Sequence, residues 1–144
     1  MNPILVIVPT RNRNIQHKEF AEAFFENSKD SDLMVVLDQD NEKAYERLPG
    51  VRYEIYNTQT RGIGEPLNHT AVAYADQYRY IGFMGDDHRT RTPGWDRLML
   101  DKMDKMQLSV GYGNDLLQGE KLPTAVLLSS KIIQTLGYMA PPVL

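Results

Sequence analysis

The run Tyr80-Ile81-Gly82-Phe83-Met84-Gly85-Asp86-Asp87-His88 constrains this chain more than any other, because an apolar strand ends abruptly in two carboxylates and an imidazole. A buried parallel strand delivers its last side chains to the carboxyl edge of a sheet, where open α/β folds bind ligands. Adjacent carboxylates there suit a divalent metal. Mg2+ and Mn2+ take oxygen ligands and are commonly held by one or two carboxylates plus the phosphates of a substrate. On its own, an Asp-Asp pair ahead of Pro93 reads as a turn, so the rest of the chain has to decide.

The surrounding sequence alternates strand-like apolar runs with helical periodicity, the pattern of a sheet with crossover helices. Pro3 to Pro9 reads as a buried first strand. Asn14 is placed to cap a helix whose inner face carries Phe20 and Phe24, and Leu33-Met34-Val35-Val36-Leu37 follows as a second strand ending at Asp38. Val51 to Tyr56 alternates as a weaker third. Beyond Arg61-Gly62-Ile63-Gly64, the spacing Leu67, Ala71, Tyr74, Tyr78 predicts one apolar helical stripe feeding the Tyr80 strand. Thr92-Pro93 reads as a cap followed by a first-turn proline, with Met99, Met103 and Met106 as core filler. Leu108 to Tyr112 and Thr124 to Leu128 are two further candidate strands, and Ser129 or Ser130 starts a last short helix ending near Gly137.

With 144 residues, 42% of them hydrophobic, the chain is of single-domain size with enough apolar content for a real core. A net charge of -3 without a basic block argues against a partner held through a phosphate backbone, so nucleic acid is not expected. Cysteine is absent, which excludes disulfides and thiolate metal sites and fits a reducing cytoplasm. Ile4 to Val8 is short, lacks a basic leader and runs into Pro9-Thr10-Arg11, so it reads as a strand and not as a signal peptide. No stretch approaches membrane-spanning length.

Three strand ends carry polar groups that a fold alone does not need: Pro9-Thr10-Arg11-Asn12-Arg13, Asp38-Gln39-Asp40 and Asp86-Asp87-His88. In a parallel sheet all three emerge at one edge, since each crossover returns the chain to start again from the other side. A shared pocket of hydroxyl and amide groups, carboxylates, guanidinium groups and a metal-binding pair suits a nucleoside diphosphate.

The order Pro9-Thr10-Arg11-Asn12, then Asp38, then Gly62 with Asn68, then Phe83-Met84-Gly85-Asp86-Asp87 resembles the family 2 glycosyltransferases of GT-A fold. In block wording and length it is most similar to the small glycosyltransferase-like proteins of actinobacterial bacteriophages. The resemblance spans essentially the whole chain. It implies a single α/β, GT-A-like (Rossmann-like) domain with a mostly parallel sheet flanked by helices. It also implies a metal-dependent transfer of a sugar from a UDP- or GDP-linked donor to an unknown acceptor, in a bacterial or phage-infected cytoplasm. Residue by residue, it implies that Thr10 and Asp38, beside Pro9 and Arg11, hold the nucleobase. Arg13 or Arg61 lies near the phosphates, Asp86 approaches the ribose or sugar, and Asp87 ligates Mn2+ or Mg2+, with Asp86 or His88 as further candidate ligands.

The chain also departs from that pattern. The family's catalytic base follows the acceptor-side strands, whereas this chain ends at Ala140-Pro141-Pro142-Val143-Leu144 without a clear equivalent, and a late metal-completing histidine is missing. Asp115 and Glu120 are the weak candidates for the base. The expectation is a domain lacking the acceptor segment, with an apolar surface that favours self-association. A non-catalytic nucleotide-binding module is the alternative, and a metal-dependent phosphohydrolase, which needs more converging carboxylates, is a distant third. Arg89 and Arg91 follow the carboxylates where a lid or acceptor loop would be useful. Trp95 reads as a helix-start packing residue, although aromatic faces also stack on sugars.

Overall fold

The computed structural model describes residues 2–57, 62–113 and 125–141. A six-stranded sheet has the order β3-β2-β1-β4-β6-β5. β1 (Ile4–Thr10), β2 (Ser31–Asp38), β3 (Arg52–Tyr56) and β4 (Tyr80–Phe83) run parallel, while β6 (Val126–Ser129) lies antiparallel to both β4 and the edge strand β5 (Val110–Tyr112). α1 (Asn14–Asn27) connects β1 to β2, and α2 (Gly64–Tyr74) precedes β4. α3 (Trp95–Met103) lies between β4 and β5, and α4 (Ser130–Leu136) follows β6 directly. The sheet is therefore mostly parallel and sandwiched between helices.

Every residue of β1 is buried, because helices cover both of its faces and alternate side chains enter two separate cores. Ile4, Val6 and Val8 pack with Phe20 and Phe24 of α1 and with Leu100 and Met103 of α3. Leu5 and Ile7 face the other way, against Leu67 and Ala71 of α2 and Ile133 of α4. β4 and β6 approach closely at Gly82. A methyl group there would lie 2.3 Å from Leu127 Cδ2 and 3.3 Å from the Val126 carbonyl, so any side chain at this position forces the buried Leu127 to move.

The structure shifts several expected boundaries for local reasons. Asn14 is the first helical residue and not the cap; Arg13 holds the cap position, and Asn14 Oδ1 accepts from the Glu46 amide. α2 stops at Tyr74, so Tyr78 lies beyond the helix. It stays buried because its hydroxyl donates to Asp32 at 2.7 Å and accepts from Arg52 at 2.6 Å. α3 starts at Trp95 and not at Thr92-Pro93. Gly94 takes a left-handed conformation at φ 69 with its amide donated to the Asn27 carbonyl, a geometry that glycine adopts without strain and that cannot continue a helix. Met103 is buried and Met99 packs against the same core, but Met106 lies beyond the helix and is 62% exposed, so it is not core filler. Trp95 packs edge-to-face on Phe24 and donates Nε1–H to Ser28, and so braces α3 against α1.

Candidate functional site at the carboxyl edge

The parallel strands bring the three polar strand ends to one edge, around a cavity of about 600 Å3. Its lining includes Pro9, Thr10, Arg11 and Arg13 after β1, Asp38 at the end of β2, Asp86 and Asp87 after β4, and Gly62, Ile63 and Pro66 at the start of α2. Asn68 is not among them. Its amide side chain bonds the backbone of Met139 and Ala140 and so pins the segment after α4 to α2. Arg61, Asp115 and Glu120 lie outside the described residues. A second cavity of about 410 Å3, lined by Tyr78, Arg79 and Lys131 among others, sits at the opposite edge and contains none of the strand-end groups.

Asp86 is the buried centre of the site. Its Oδ2 accepts from the Thr10 hydroxyl at 2.7 Å, and its Oδ1 pairs with Arg13 Nε at 3.3 Å. An ionised carboxylate offers only acceptors, so the single Thr10 proton is committed to it. Thr10 Oγ1 also lies 2.9 Å from the Tyr45 hydroxyl, which must then be the donor of that bond, and the same hydroxyl accepts from the Arg13 amide at 2.9 Å. Tyr45, in the segment after a 3-10 turn at Glu42–Ala44, is therefore part of the site's framework. Sequence reading missed it because Tyr45 lies on no strand end. The only signal was an aromatic residue in a polar connection.

The next residue, Asp87, is exposed, and none of the described residues bonds its carboxylate. Its loop is nevertheless held. Arg89 donates to the carbonyls of Asp86 and His88 and pairs with Glu19 of α1, while Thr90 bonds the Ala23 carbonyl and accepts from Asn27. Arg89 is thus a clamp on this loop, and Arg91 is exposed. His88 Nδ1 accepts the Gly85 amide at 3.0 Å, which leaves the neutral ring's proton on Nε2 and offers no lone pair to a metal. Among the described residues no group of three acidic or imidazole side chains converges as a metal cage. A single free carboxylate fits an ion whose other ligands are phosphate oxygens and water.

At the other end of the cavity, Arg11 bridges Asp38 at 2.8 Å and Asp40 at 2.7 Å. Hydrogen bonds from Arg11 hold the Asp40 carboxyl below its ordinary range, and the two carboxylates hold the guanidinium above its own. Asn12, at φ 56, exchanges two hydrogen bonds with Asn41, so the loops after β1 and β2 are joined side by side. Asp38 keeps one oxygen that no described residue bonds. Beneath these loops, burial pushes the His17 imidazole below its ordinary value. Its Nε2 lies 2.8 Å from the Tyr53 hydroxyl, and its ring meets Tyr45 edge-on at 5.2 Å.

No protein-family model matches the sequence, and neither does any curated protein. Solved structures do match in fold. TarS 1-349 from S. aureus superposes with a TM-score of 0.66 at 15% identity, over 97% of this chain and 50% of that one. The mannosyltransferase PcManGT from Pyrobaculum calidifontis, in complex with GDP-Man and Mn2+, gives 0.68 at 15% identity, over 96% of this chain and 47% of that one. A CMP:2-keto-3-deoxy-manno-octonic acid synthetase complexed with CTP gives 0.63 at 9% identity, over 99% and 80%. No helix among the described residues is long and apolar enough to cross a membrane. The chain spans about half the length of the first two solved chains and has the mixed α/β fold of GT-A-like nucleotide-sugar transferases.

Proposed function

We infer that this chain binds a nucleoside diphosphate-linked sugar at the carboxyl edge of its parallel strands and transfers the sugar to an acceptor. The observation that carries this reading is the single cavity of about 600 Å3 that unites Thr10, Arg13, Asp38, Asp86 and Asp87 from three strand ends. Two solved structures of the same fold hold a nucleotide-sugar or a nucleotide, GDP-Man in one and CTP in the other. UDP and GDP are the first donors to test.

In this reading Asp38 offers its remaining oxygen to the donor N–H groups of a base, and Arg13 directs the free edge of its guanidinium at the diphosphate. Asp86 is spent internally, so its part is to orient Arg13. Asp87 is the residue that would hold Mn2+ or Mg2+ with the phosphates. The ion's chemistry would be to offset the charge that grows on the departing diphosphate. Transfer with inversion also needs a carboxylate near the acceptor hydroxyl. Among the described residues, the acids lining the cavity are Asp38, Asp86 and Asp87, two of them already paired with arginines. That observation favours, as the second reading, a non-catalytic nucleotide- or nucleotide-sugar-binding module; in the first reading the base would come from Asp115, Glu120 or another segment.

Calorimetric titration with UDP, GDP, ADP and TDP, with and without Mn2+, tests the reading on the wild type and on Asp87→Ala. Metal-dependent binding of one nucleotide, lost in Asp87→Ala, is expected. No binding of any nucleotide under either condition overturns the donor site. Turnover of the matching nucleotide-sugar then separates transferase from binding module.

A further inference from the structure

We propose that Tyr45 is a positioning residue of this site, acting on the buried Asp86 through the Thr10 hydroxyl and on the half-exposed Arg13 through its amide. The inference rests on the nucleotide-binding reading and goes beyond it, since Tyr45 lies on no strand end and does not line the cavity.

Donor and acceptor roles along the relay follow from proton counting. Thr10 has one proton and gives it to Asp86, so the Tyr45 hydroxyl must donate to Thr10. Having donated its only proton, that hydroxyl can receive the Arg13 amide on a lone pair. The chain from the Arg13 amide through Tyr45 and Thr10 to Asp86 thus runs in one direction, which strengthens each bond by polarising the next. It also ties the end of β1, the start of α1 and the turn after β4 through two adjacent hydroxyl oxygens, those of Thr10 and Tyr45. Arg13 sits at the cap position of α1 with no side-chain cap, so the Tyr45 hydroxyl satisfies an amide that the helix leaves unpaired.

Rigidity of the phenol makes the arrangement selective. Its ring is 6% exposed, and His17, itself 2% exposed, meets it edge-on, so the hydroxyl cannot swing away from Thr10. Asp86, buried, bonded by Thr10 at one oxygen and ion-paired with Arg13 at the other, anchors the half-exposed Arg13, whereas the exposed Asp87 is the carboxylate free to meet a metal. Loss of the Tyr45 hydroxyl would free Thr10 to rotate and let Arg13 and Asp86 drift from the diphosphate.

The test compares nucleotide affinity in wild type, Tyr45→Phe, Tyr53→Phe and Thr10→Val, using whichever of UDP, GDP, ADP or TDP the wild type binds in the presence of Mn2+. Each titration is run well below that variant's melting midpoint. Tyr45→Phe is expected to weaken binding roughly three- to tenfold, the scale of one lost hydrogen bond feeding a charged group. In a Thr10→Val background the same change should lose most of its effect, because the two residues act in series. Tyr53→Phe removes a phenol hydroxyl that bonds His17 and the Leu48 amide but none of Thr10, Arg13 or Asp86, so its loss of affinity should be clearly smaller than that of Tyr45→Phe. If Tyr45→Phe does not fold, Thr10→Val against Thr10→Ser carries the test: the first must lose affinity and the second must keep it. Unchanged affinity in Tyr45→Phe, or equal losses in Tyr45→Phe and Tyr53→Phe, overturns the inference while leaving the donor site standing. A wild type that binds no nucleotide overturns both.

Discussion

The Thr10 hydroxyl donates to the Asp86 carboxylate at 2.7 Å, joining the end of β1 to the turn after β4 across 76 residues of sequence. Both groups are buried, so the bond is shielded from water and its loss strands a charged acceptor. Thr10→Val is expected to destabilise the fold by about 1–3 kcal/mol, and Thr10→Ser by much less. Urea denaturation of the two variants checks this, and equal midpoints would refute it.

Asp96 should be the most sensitive single acid in the protein. It is fully buried on the first turn of α3 and accepts the amides of Lys29, Asp30 and Arg97 and the Ser31 hydroxyl, at 2.6 to 3.1 Å. These bonds hold α3 against the connection between α1 and β2. Asp96→Ala leaves several buried donors unpaired and should cost about 3 kcal/mol or more. Asp101→Ala, on an exposed face of the same helix, should change stability by less than about 0.5 kcal/mol. Thermal melts of the two variants give the comparison.

Stability should fall in mild acid through His17. Burial holds the folded-state imidazole below its ordinary value, and Lys18 adds to this, while Asn14, Glu46 and Asp86 act the other way. As pH drops through about 6.5 the unfolded chain takes up the proton first, so the unfolded state gains. The loss therefore begins near that pH and continues down to the depressed folded value, and above it the group contributes no slope. In His17→Gln the decline in this window should be shallower than in wild type. Denaturant midpoints measured at about pH 7.5, 6.5 and 5.5 would show the difference, and parallel profiles would count against it.

Gly82→Ala is expected to destabilise by roughly 1–3 kcal/mol, because the new methyl group meets the fully buried Leu127 and the Val126 carbonyl across the β4–β6 ladder. Trimming the neighbour in the double variant Gly82→Ala with Leu127→Ala should cost less than the two single losses added together. Chemical denaturation of the four proteins closes this cycle, and strict additivity would argue against the clash.

Local pattern carried much of this protein. The unbroken apolar runs Ile4 to Val8 and Leu33 to Leu37 can be satisfied only by burial on both faces, which makes them inner strands of a helix-covered sheet. Parallel connectivity then sends Thr10, Asp38 and Asp86 to one edge, so the neighbourhood of the candidate site is legible in the sequence. Boundaries were less so, since the start of α3 depends on the left-handed Gly94 and its bond to Asn27, and the position of Tyr78 depends on partners at Asp32 and Arg52.

The roles within the site belong to the tertiary structure. Asp86 and Asp87 are adjacent and chemically identical in sequence. One is buried between Thr10 and Arg13, and the other stands exposed on a loop that Arg89 clamps. Tyr45 enters only because the connection after β2 folds back over β1, and His88 turns its Nδ1 to a backbone amide. The sequence alone determined which residue types reach the carboxyl edge, because strand burial and crossover direction are local and topological. Which oxygen, proton or ring nitrogen remains available was decided by long-range hydrogen bonds, whose partners no local pattern specifies.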